Sequence, residues 1–111
     1  MPSEPDALPP LAGIAPAGAM SEPRAVIALV IPGRLGLHAR QAARVVEIAR
    51  RYASTVTLVH AEVRASAKEL LDVLYLAAPS GALLEVSAIG HDAEAAVDAL
   101  ATYLSSLGND A

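Results

Sequence analysis

The sequence contains no cysteine, no tryptophan and no phenylalanine, and aromatic residues make up only 3% of its 111 residues. Without cysteine, the chain has no disulfide, no thiolate nucleophile and no cysteine-ligated metal site. The scarcity of aromatic side chains removes the platform on which single-stranded nucleic acids stack their bases. These absences exclude thiol chemistry and disfavour a nucleic-acid-binding protein.

Basic residues are also in deficit, with 8 Lys and Arg against 12 Asp and Glu, a net charge of −4 and an isoelectric point near 5.2. This is the wrong sign for a protein that binds nucleic acid through its phosphates. The longest apolar run that reads as one element, Ala25 to Ile31, is far shorter than the roughly 20 residues that span a bilayer. With hydrophobic residues at 54%, the chain is expected to form one soluble, globular domain.

The N-terminal part differs in composition from the rest. Six of the eight prolines precede Arg24, so residues 1–23 are predicted to be a flexible tail and residues 24–111 the folded domain. No Lys or Arg precedes Arg24, which argues against a signal peptide and favours a cytoplasmic protein. Met20 leads directly into the first predicted strand and is a candidate for the translation start.

Hydrophobic periodicity in the domain alternates between strand and helix patterns. Strands are predicted at Ala25–Ile31, Ser54–Val59, Glu62–Ala65 and Leu83–Ile89, and helices at Ala39–Tyr52, at Ala67–Leu76 and from an Asp92 N-cap to a closing Gly108. The order βαββαβα predicts an α+β fold: an open-faced two-layer sandwich, with a four-stranded antiparallel sheet and three helices on one face. Tyrosines 52, 75 and 103 are expected at the edge of the core.

A histidine stands where a loop enters the first helix, within the segment Gly36–Arg40. The free N–H groups and the dipole at a helix start bind anions and disfavour a charged imidazole, so His38 is predicted to be a neutral nucleophile. Arg40 is placed to clamp phosphate oxygens, and Arg34 and Arg44 add local positive charge. This combination fits a histidine that accepts a phosphoryl group, although on spacing alone such a histidine is more often a helix cap.

The segment Gly36–Ala43 resembles the Gly-Leu-His-Ala-Arg-Pro-Ala signature of HPr, the histidine phosphocarrier family of the bacterial phosphoenolpyruvate-dependent phosphotransferase system. The resemblance extends from about Arg24 to Leu107. It includes Ser66–Lys68, which matches the Asn-Ala-Lys before the family's second helix, and Gly90–Glu94 before its last helix.

The resemblance implies that His38 receives a phosphoryl group from phospho-enzyme I and passes it to an enzyme IIA domain, in sugar uptake or in a nitrogen-type regulatory relay. It assigns phosphate stabilisation to Arg40 and to the backbone N–H groups of Ala39 and Arg40. The family's docking patch matches Leu70, Leu71 and Leu74, whose other interpretation is as core residues. The chain would then be a carrier rather than an enzyme, with no cofactor and no metal, and a monomer.

Three positions depart from the family pattern. Gln41 replaces the signature proline, which is expected to cost a little rigidity at the helix start. Glu69 occupies the position of the regulatory serine of Gram-positive relatives and has no hydroxyl to phosphorylate. Asp72 adds a charge where the family has a small residue, which is expected to narrow the choice of partners.

Two other functions stay open on the sequence. A regulatory docking module that has lost the relay is the alternative to a phosphocarrier, although the intact His38 and Arg40 argue against it. A small-ligand-binding domain is the weakest interpretation, because no polar cluster that would line a pocket is evident. His60 and His91 have no second ligand at metal spacing and receive no role.

Overall fold

The computed structural model describes residues 22–110, and its strands and helices follow in the predicted order. The elements are β1 (Arg24–Val30), α1 (Ala39–Ala49), β2 (Thr55–His60), β3 (Val63–Ser66), α2 (Leu70–Leu76), β4 (Leu83–Ile89), α3 (Ala93–Ser106) and a 3₁₀ turn (Leu107–Asp110). The predicted tail, apart from its last two residues, and the alternative start lie outside the described residues. Within the described range no helix is long and apolar enough to cross a membrane.

The four strands form one antiparallel sheet in the order β1-β4-β2-β3. Val86 in β4 stands between Ile27 of β1 and Leu58 of β2, so one row of side chains crosses the sheet on the side that the helices cover. The opposite face stays open, and Val26 there is 61% exposed. The predicted α+β sandwich with three helices on one face is therefore confirmed.

Aliphatic side chains fill most of the centre of the domain, since the chain has no Phe or Trp. The largest fully buried side chains, which belong to the sheet, to all three helices and to the flanking loops, are Ile31, Val45, Ser54, Val56, Leu58, Val73, Leu84, Val86, Leu100 and Leu104. Replacing such side chains by Ala costs roughly 2–5 kcal/mol in well-packed cores, so this layer is the main source of the domain's stability.

The helix boundaries differ from prediction where the backbone finds other partners. The predicted start of α2 at Ala67 is three residues too early, because Ala67 donates its N–H to Val56 and Lys68 donates to the Ser66 hydroxyl, at 2.9 and 3.2 Å. These bonds hold a turn that precedes Leu70. The periodicity of apolar residues does not show that these turn hydrogen bonds compete with those of a helix.

The other two helices also end differently. α1 ends at Ala49 rather than Tyr52, and the chain turns because Arg51 and Tyr52 donate to the carbonyls of Ile48 and Ala49 over three residues. α3 continues beyond its α-helical part into the 3₁₀ turn, which includes the predicted stop, Gly108.

Asp92 occupies the N-cap position of α3 as predicted, but its side chain does not cap that helix. The carboxylate instead accepts hydrogen bonds from the N–H groups of Ala53 and Ser54, at 2.8 and 2.9 Å, and from the Ser54 hydroxyl. Gly90 makes this possible, because it has a φ of 148° and a Cβ there would lie 2.8 Å from the Cα of Ser54. Asp92 is therefore the N-cap residue by position, as predicted, while its carboxylate ties the start of α3 to the residues just before β2.

The Asp92 contacts predict a pH dependence of stability. The Ser54 hydroxyl and the Ala53 N–H hold the pKa of Asp92 at about 2, below its ordinary value of 3.8. A depressed pKa stabilises the folded state above the unfolded pKa, and this contribution is lost as the pH falls from about 4 towards 2. We expect Asp92→Asn to lower the urea midpoint at pH 7 and to lose that difference near pH 2. Asp98→Asn, which removes an exposed charge on α3, is the matched control. If Asp92→Asn lowers the urea midpoint by the same amount at every pH, this account is contradicted.

Candidate functional site

His38 is the N-cap residue of α1. Its backbone is extended, with φ −79° and ψ −178°, and its side chain makes no capping hydrogen bond and is exposed. The first helical bond runs from the N–H of Ala42 to the His38 carbonyl, at 2.8 Å. The N–H groups of Ala39, Arg40 and Gln41 therefore have no partner within the helix, and the imidazole beside them is not used as a cap.

The loop before His38 is fixed against the segment that follows α2. Leu37 is 4% exposed and donates its N–H to the carbonyl of Ala78 at 2.9 Å. Gly36 adopts a φ of +70°, and a Cβ on it would lie 2.7 Å from the Ala78 oxygen and 2.8 Å from the backbone of Pro79. Only glycine permits this approach, so the position of His38 depends on a tight backbone contact.

His38 opens onto a surface depression of about 610 Å³, here called the His38 depression. Its lining comes from the loop before α1, the start of α1 and the end of α2 with the following segment: Arg34, Leu35, Leu37, His38, Ala39, Leu74, Ala77, Ala78, Pro79 and Ser80. None of these lining residues is acidic. The depression therefore suits a negatively charged group that approaches the imidazole.

The arginines around the site fall into two groups. Arg44 and Arg51 pair with Glu47, at 2.6 and 3.9 Å, and are committed to the exposed side of α1. Within residues 22–110, Arg34 and Arg40 have no ion pair and no side-chain hydrogen bond. Two unpaired guanidinium groups thus flank His38 in the sequence, on the loop and on the first turn of α1.

Arg34 lies closer to the site than its place in the sequence indicates. It lines the His38 depression, whereas Arg40, to which the sequence assigned phosphate stabilisation, is not among the lining residues. The sequence marked Arg34 only as general positive charge, because its distance from His38 depends on how the intervening loop folds. The structure brings Arg34 to the same surface as the imidazole.

An exposed apolar surface on α2 adjoins this region. Leu70, Leu71 and Tyr75, here called the α2 patch, are 39%, 78% and 87% exposed. Leu74, the third docking residue in the sequence prediction, is half-buried against the core and lines the His38 depression. The prediction that Tyr75 lies at the core edge was wrong, because residues 71 and 75 share the outer side of the helix one turn apart.

The acidic departures also lie on α2. Glu69 is its exposed N-cap residue and makes no capping hydrogen bond. Asp72 is exposed, and its carboxylate stands 3.4 Å from the backbone N–H of Ser66. Lys68, which precedes α2, donates from Nζ to the carbonyl of Tyr52, which follows α1, at 2.7 Å. The α2 patch therefore has two negative charges at its border, and the segment before it is bonded to the segment that follows α1.

Comparisons with known proteins identify relatives of this chain. The family described as "PTS HPr component phosphorylation site" matches residues 27–106. The phosphocarrier protein HPr of Treponema pallidum is 40% identical over 67 residues, which is 60% of this chain and 76% of that protein. The phosphocarrier protein NPr of Shewanella violacea is 36% identical over 72 residues, 65% of this chain and 79% of that protein.

A solved structure supports the same assignment at the level of the fold. HPr-C-His from Thermoanaerobacter tengcongensis superposes with a TM-score of 0.73 at 28% identity, over 77% of this chain and 96% of that one. The family match covers most of the domain, including the histidine segment and all three helices. The chain belongs to the HPr family of phosphocarrier proteins of the phosphotransferase system.

Proposed function

We propose that this chain carries a phosphoryl group on a ring nitrogen of His38, accepting it from phospho-enzyme I and passing it to an enzyme IIA domain. The observation that carries the proposal is the placement of His38: an exposed imidazole with no capping bond, at the start of an 11-residue helix. Membership of the phosphocarrier family supports it. In this role the chain is a substrate of two transfers and works in the cytoplasm.

The transfer needs little from the carrier beyond position and charge. A ring nitrogen of His38 attacks phosphorus in line, a nitrogen–phosphorus bond forms, and the bond to the donor atom breaks with its electron pair returning to the donor. In this proposal, the N–H groups of Ala39 and Arg40 and the guanidinium groups of Arg34 and Arg40 stabilise the phosphoryl oxygens. The histidine's return to its free form in the second transfer regenerates the carrier.

The proposal is tested by incubating the purified chain with phosphoenolpyruvate, Mg²⁺ and enzyme I of its host. We expect one phosphoryl group by intact mass, stable in base and lost in acid, as a phosphoramidate is. A folded chain that takes up nothing from the sugar-type or the nitrogen-type enzyme I would overturn the proposal and favour a docking module. Which enzyme I donates faster decides between sugar uptake and a nitrogen-type relay.

Removing either unpaired arginine is expected to slow uptake. Arg34→Gln and Arg40→Gln each delete a charged donor for the phosphoryl oxygens, and a hydrogen bond to a charged group contributes about 1.5–3 kcal/mol. The initial rate of phosphorylation should fall roughly tenfold or more for each variant. Arg64→Gln on β3 removes another exposed arginine with no ion pair in the described part of the chain, and should leave the rate unchanged. Equal rates for all three variants would mean that neither Arg34 nor Arg40 takes part in the transfer.

The α2 patch is expected to dock the phosphoryl donor. Leu71→Glu places a charge at a position where the side chain is 78% exposed. Loss of an anchor residue from an interface costs at least about 1–2 kcal/mol. The KM for enzyme I should therefore rise roughly tenfold, with little change in kcat. Val26→Glu makes the same change at a 61% exposed position on the open face of the sheet. If both variants raise KM alike, the effect comes from net charge and the patch is not the docking surface.

A further inference from the structure

The exposed surface of α2 carries charge of one sign only. Residues 69–76 include Glu69 and Asp72 but no Lys or Arg. Both acidic residues are exposed, and neither forms an ion pair in the part of the chain that the structure describes. Because residues three apart in a helix are neighbours, Asp72 adjoins Tyr75 of the α2 patch. Unpaired carboxylates therefore border the exposed apolar side chains.

Two cations lie near the start of α2, and both are hydrogen-bonded to backbone carbonyls. Lys68 donates from Nζ to the carbonyl of Tyr52 at 2.7 Å. Arg50 donates from Nε to the carbonyl of Lys68 at 2.8 Å. Within residues 22–110 neither cation forms an ion pair with Glu69 or Asp72. The two carboxylates are therefore available to a positive group from outside the chain.

The hydrogen bonds of the fold make little use of these carboxylates. Glu69 is the N-cap residue of α2 but makes no capping hydrogen bond. Asp72 stands 3.4 Å from the N–H of Ser66, which is beyond the usual length of such a bond. Like charges that are neighbours on a helix also repel each other. An opposite charge on a docked protein would remove this repulsion.

The face that contains His38 and α2 is thus charged differently at its two ends. The unpaired residues that flank His38 in the sequence are Arg34 and Arg40, whereas those at the start of α2 are acidic. We propose that the proteins that exchange the phosphoryl group with this chain present a Lys or Arg to Glu69 and Asp72, beside an apolar contact with the α2 patch. This inference rests on the proposed function. The carboxylates favour partners with a basic docking surface and reject acidic ones.

The test is a titration of the ¹⁵N-labelled full chain with enzyme I of its host, without phosphoenolpyruvate, in which amide chemical shifts give Kd. Glu69→Lys with Asp72→Lys is compared with Glu94→Lys and Asp98→Lys on α3. Both pairs are exposed, lack ion pairs in the described range and include an acid in the first turn of a helix. Net charge changes equally. We expect the α2 variant to raise Kd roughly tenfold, as two attractions become repulsions, and the α3 variant to leave it unchanged.

The effect of salt shows the sign of the interaction. Raising the ionic strength from about 0.05 M to about 0.5 M screens exposed charges, so it should raise the Kd of the unaltered chain and lower that of the α2 lysine variant. Glu69→Gln with Asp72→Asn should give an intermediate Kd, and it carries the test if the lysine variant does not fold. Tighter binding of either α2 variant at low salt would mean that enzyme I presents acidic groups to α2, and would overturn the proposal.

Three other results would also overturn it. They are the absence of saturable shifts with the unaltered chain, an equal Kd for the α2 and α3 lysine variants, and a lower urea midpoint of the α2 variants with no change in Kd. The last would mean that the carboxylates serve only the helix dipole. Phosphorylation of the unaltered chain is measured separately, so a chain that binds with the expected charge dependence but takes up no phosphoryl group would contradict only the proposed function.

Discussion

Replacing His38 with alanine is expected to abolish phosphoryl uptake completely while leaving the fold intact. The imidazole is the only group at the start of α1 that can form the nitrogen–phosphorus bond, so no residual transfer remains. The side chain makes no capping hydrogen bond and is exposed, so the free energy of unfolding should change by no more than about 0.5 kcal/mol. Intact mass after incubation with enzyme I and a urea denaturation curve measure the two effects.

His60→Ala is the control for this experiment. His60 ends β2 and lies outside the His38 depression, so its variant should be phosphorylated like the unaltered chain. Acid-labile phosphate on His38→Ala would place the phosphoryl group on another residue. A large loss of stability in His38→Ala would mean instead that the imidazole is a structural cap, which is the interpretation that the spacing alone had favoured.

Gly36→Ala is expected to have the second largest effect on phosphorylation, because it disrupts the backbone contact that positions His38. The new Cβ would lie 2.7 Å from the Ala78 oxygen, at a residue whose φ of +70° already disfavours any side chain. A loss of stability of about 1–3 kcal/mol is expected from the strain. A displacement of His38 by about 1 Å would slow transfer roughly a hundredfold. Urea denaturation and the initial rate of phosphorylation measure the two losses.

Gly81→Ala is the control that separates backbone strain from the displacement of His38. Gly81 has a φ of +86°, but a Cβ there would meet nothing within 4 Å. This variant should therefore lose stability from backbone strain and keep its rate of phosphorylation. If Gly36→Ala, while folded, is phosphorylated as fast as Gly81→Ala, the contact between the two loops does not position His38.

The order of elements was predictable because each element here shows its own period of apolar residues. In α1, the spacing of Val45, Val46 and Ala49 matches one buried face. In β4, alternation buries Leu84 and Val86. Such patterns depend on neighbours in the sequence, and they defined the two-layer fold before any contact was known.

Features that depend on distant partners were not predictable in this way. The start of α2 shifted because Val56, eleven residues earlier, takes the N–H of Ala67. Asp92 was expected to serve its own helix, but its oxygens reach Ala53 and Ser54 at the start of β2. In both places the outcome depends on a competition between local and long-range hydrogen bonds, and the sequence shows only the local candidate.

In the candidate site too, local features were predictable and features that depend on packing were not. His38 and the helix start were evident from residue types and spacing, because an N-cap histidine and free N–H groups are local properties. Arg34 and Tyr75 were misjudged, since the surface that each faces depends on how the loop and α2 pack. The His38 depression is likewise formed by segments far apart in the chain, from Arg34 to Ser80. The sequence had indicated no pocket.

The central claim is that the phosphoryl group passes through this chain, and onward transfer tests it most directly. The chain is phosphorylated, freed of enzyme I and mixed with the enzyme IIA domain of its host, and the phosphoryl group is followed by mass on both proteins. The account predicts that the group leaves His38 and appears on the acceptor in equal amount. A group that stays on the chain, or is released only as inorganic phosphate, would contradict the assignment as a carrier.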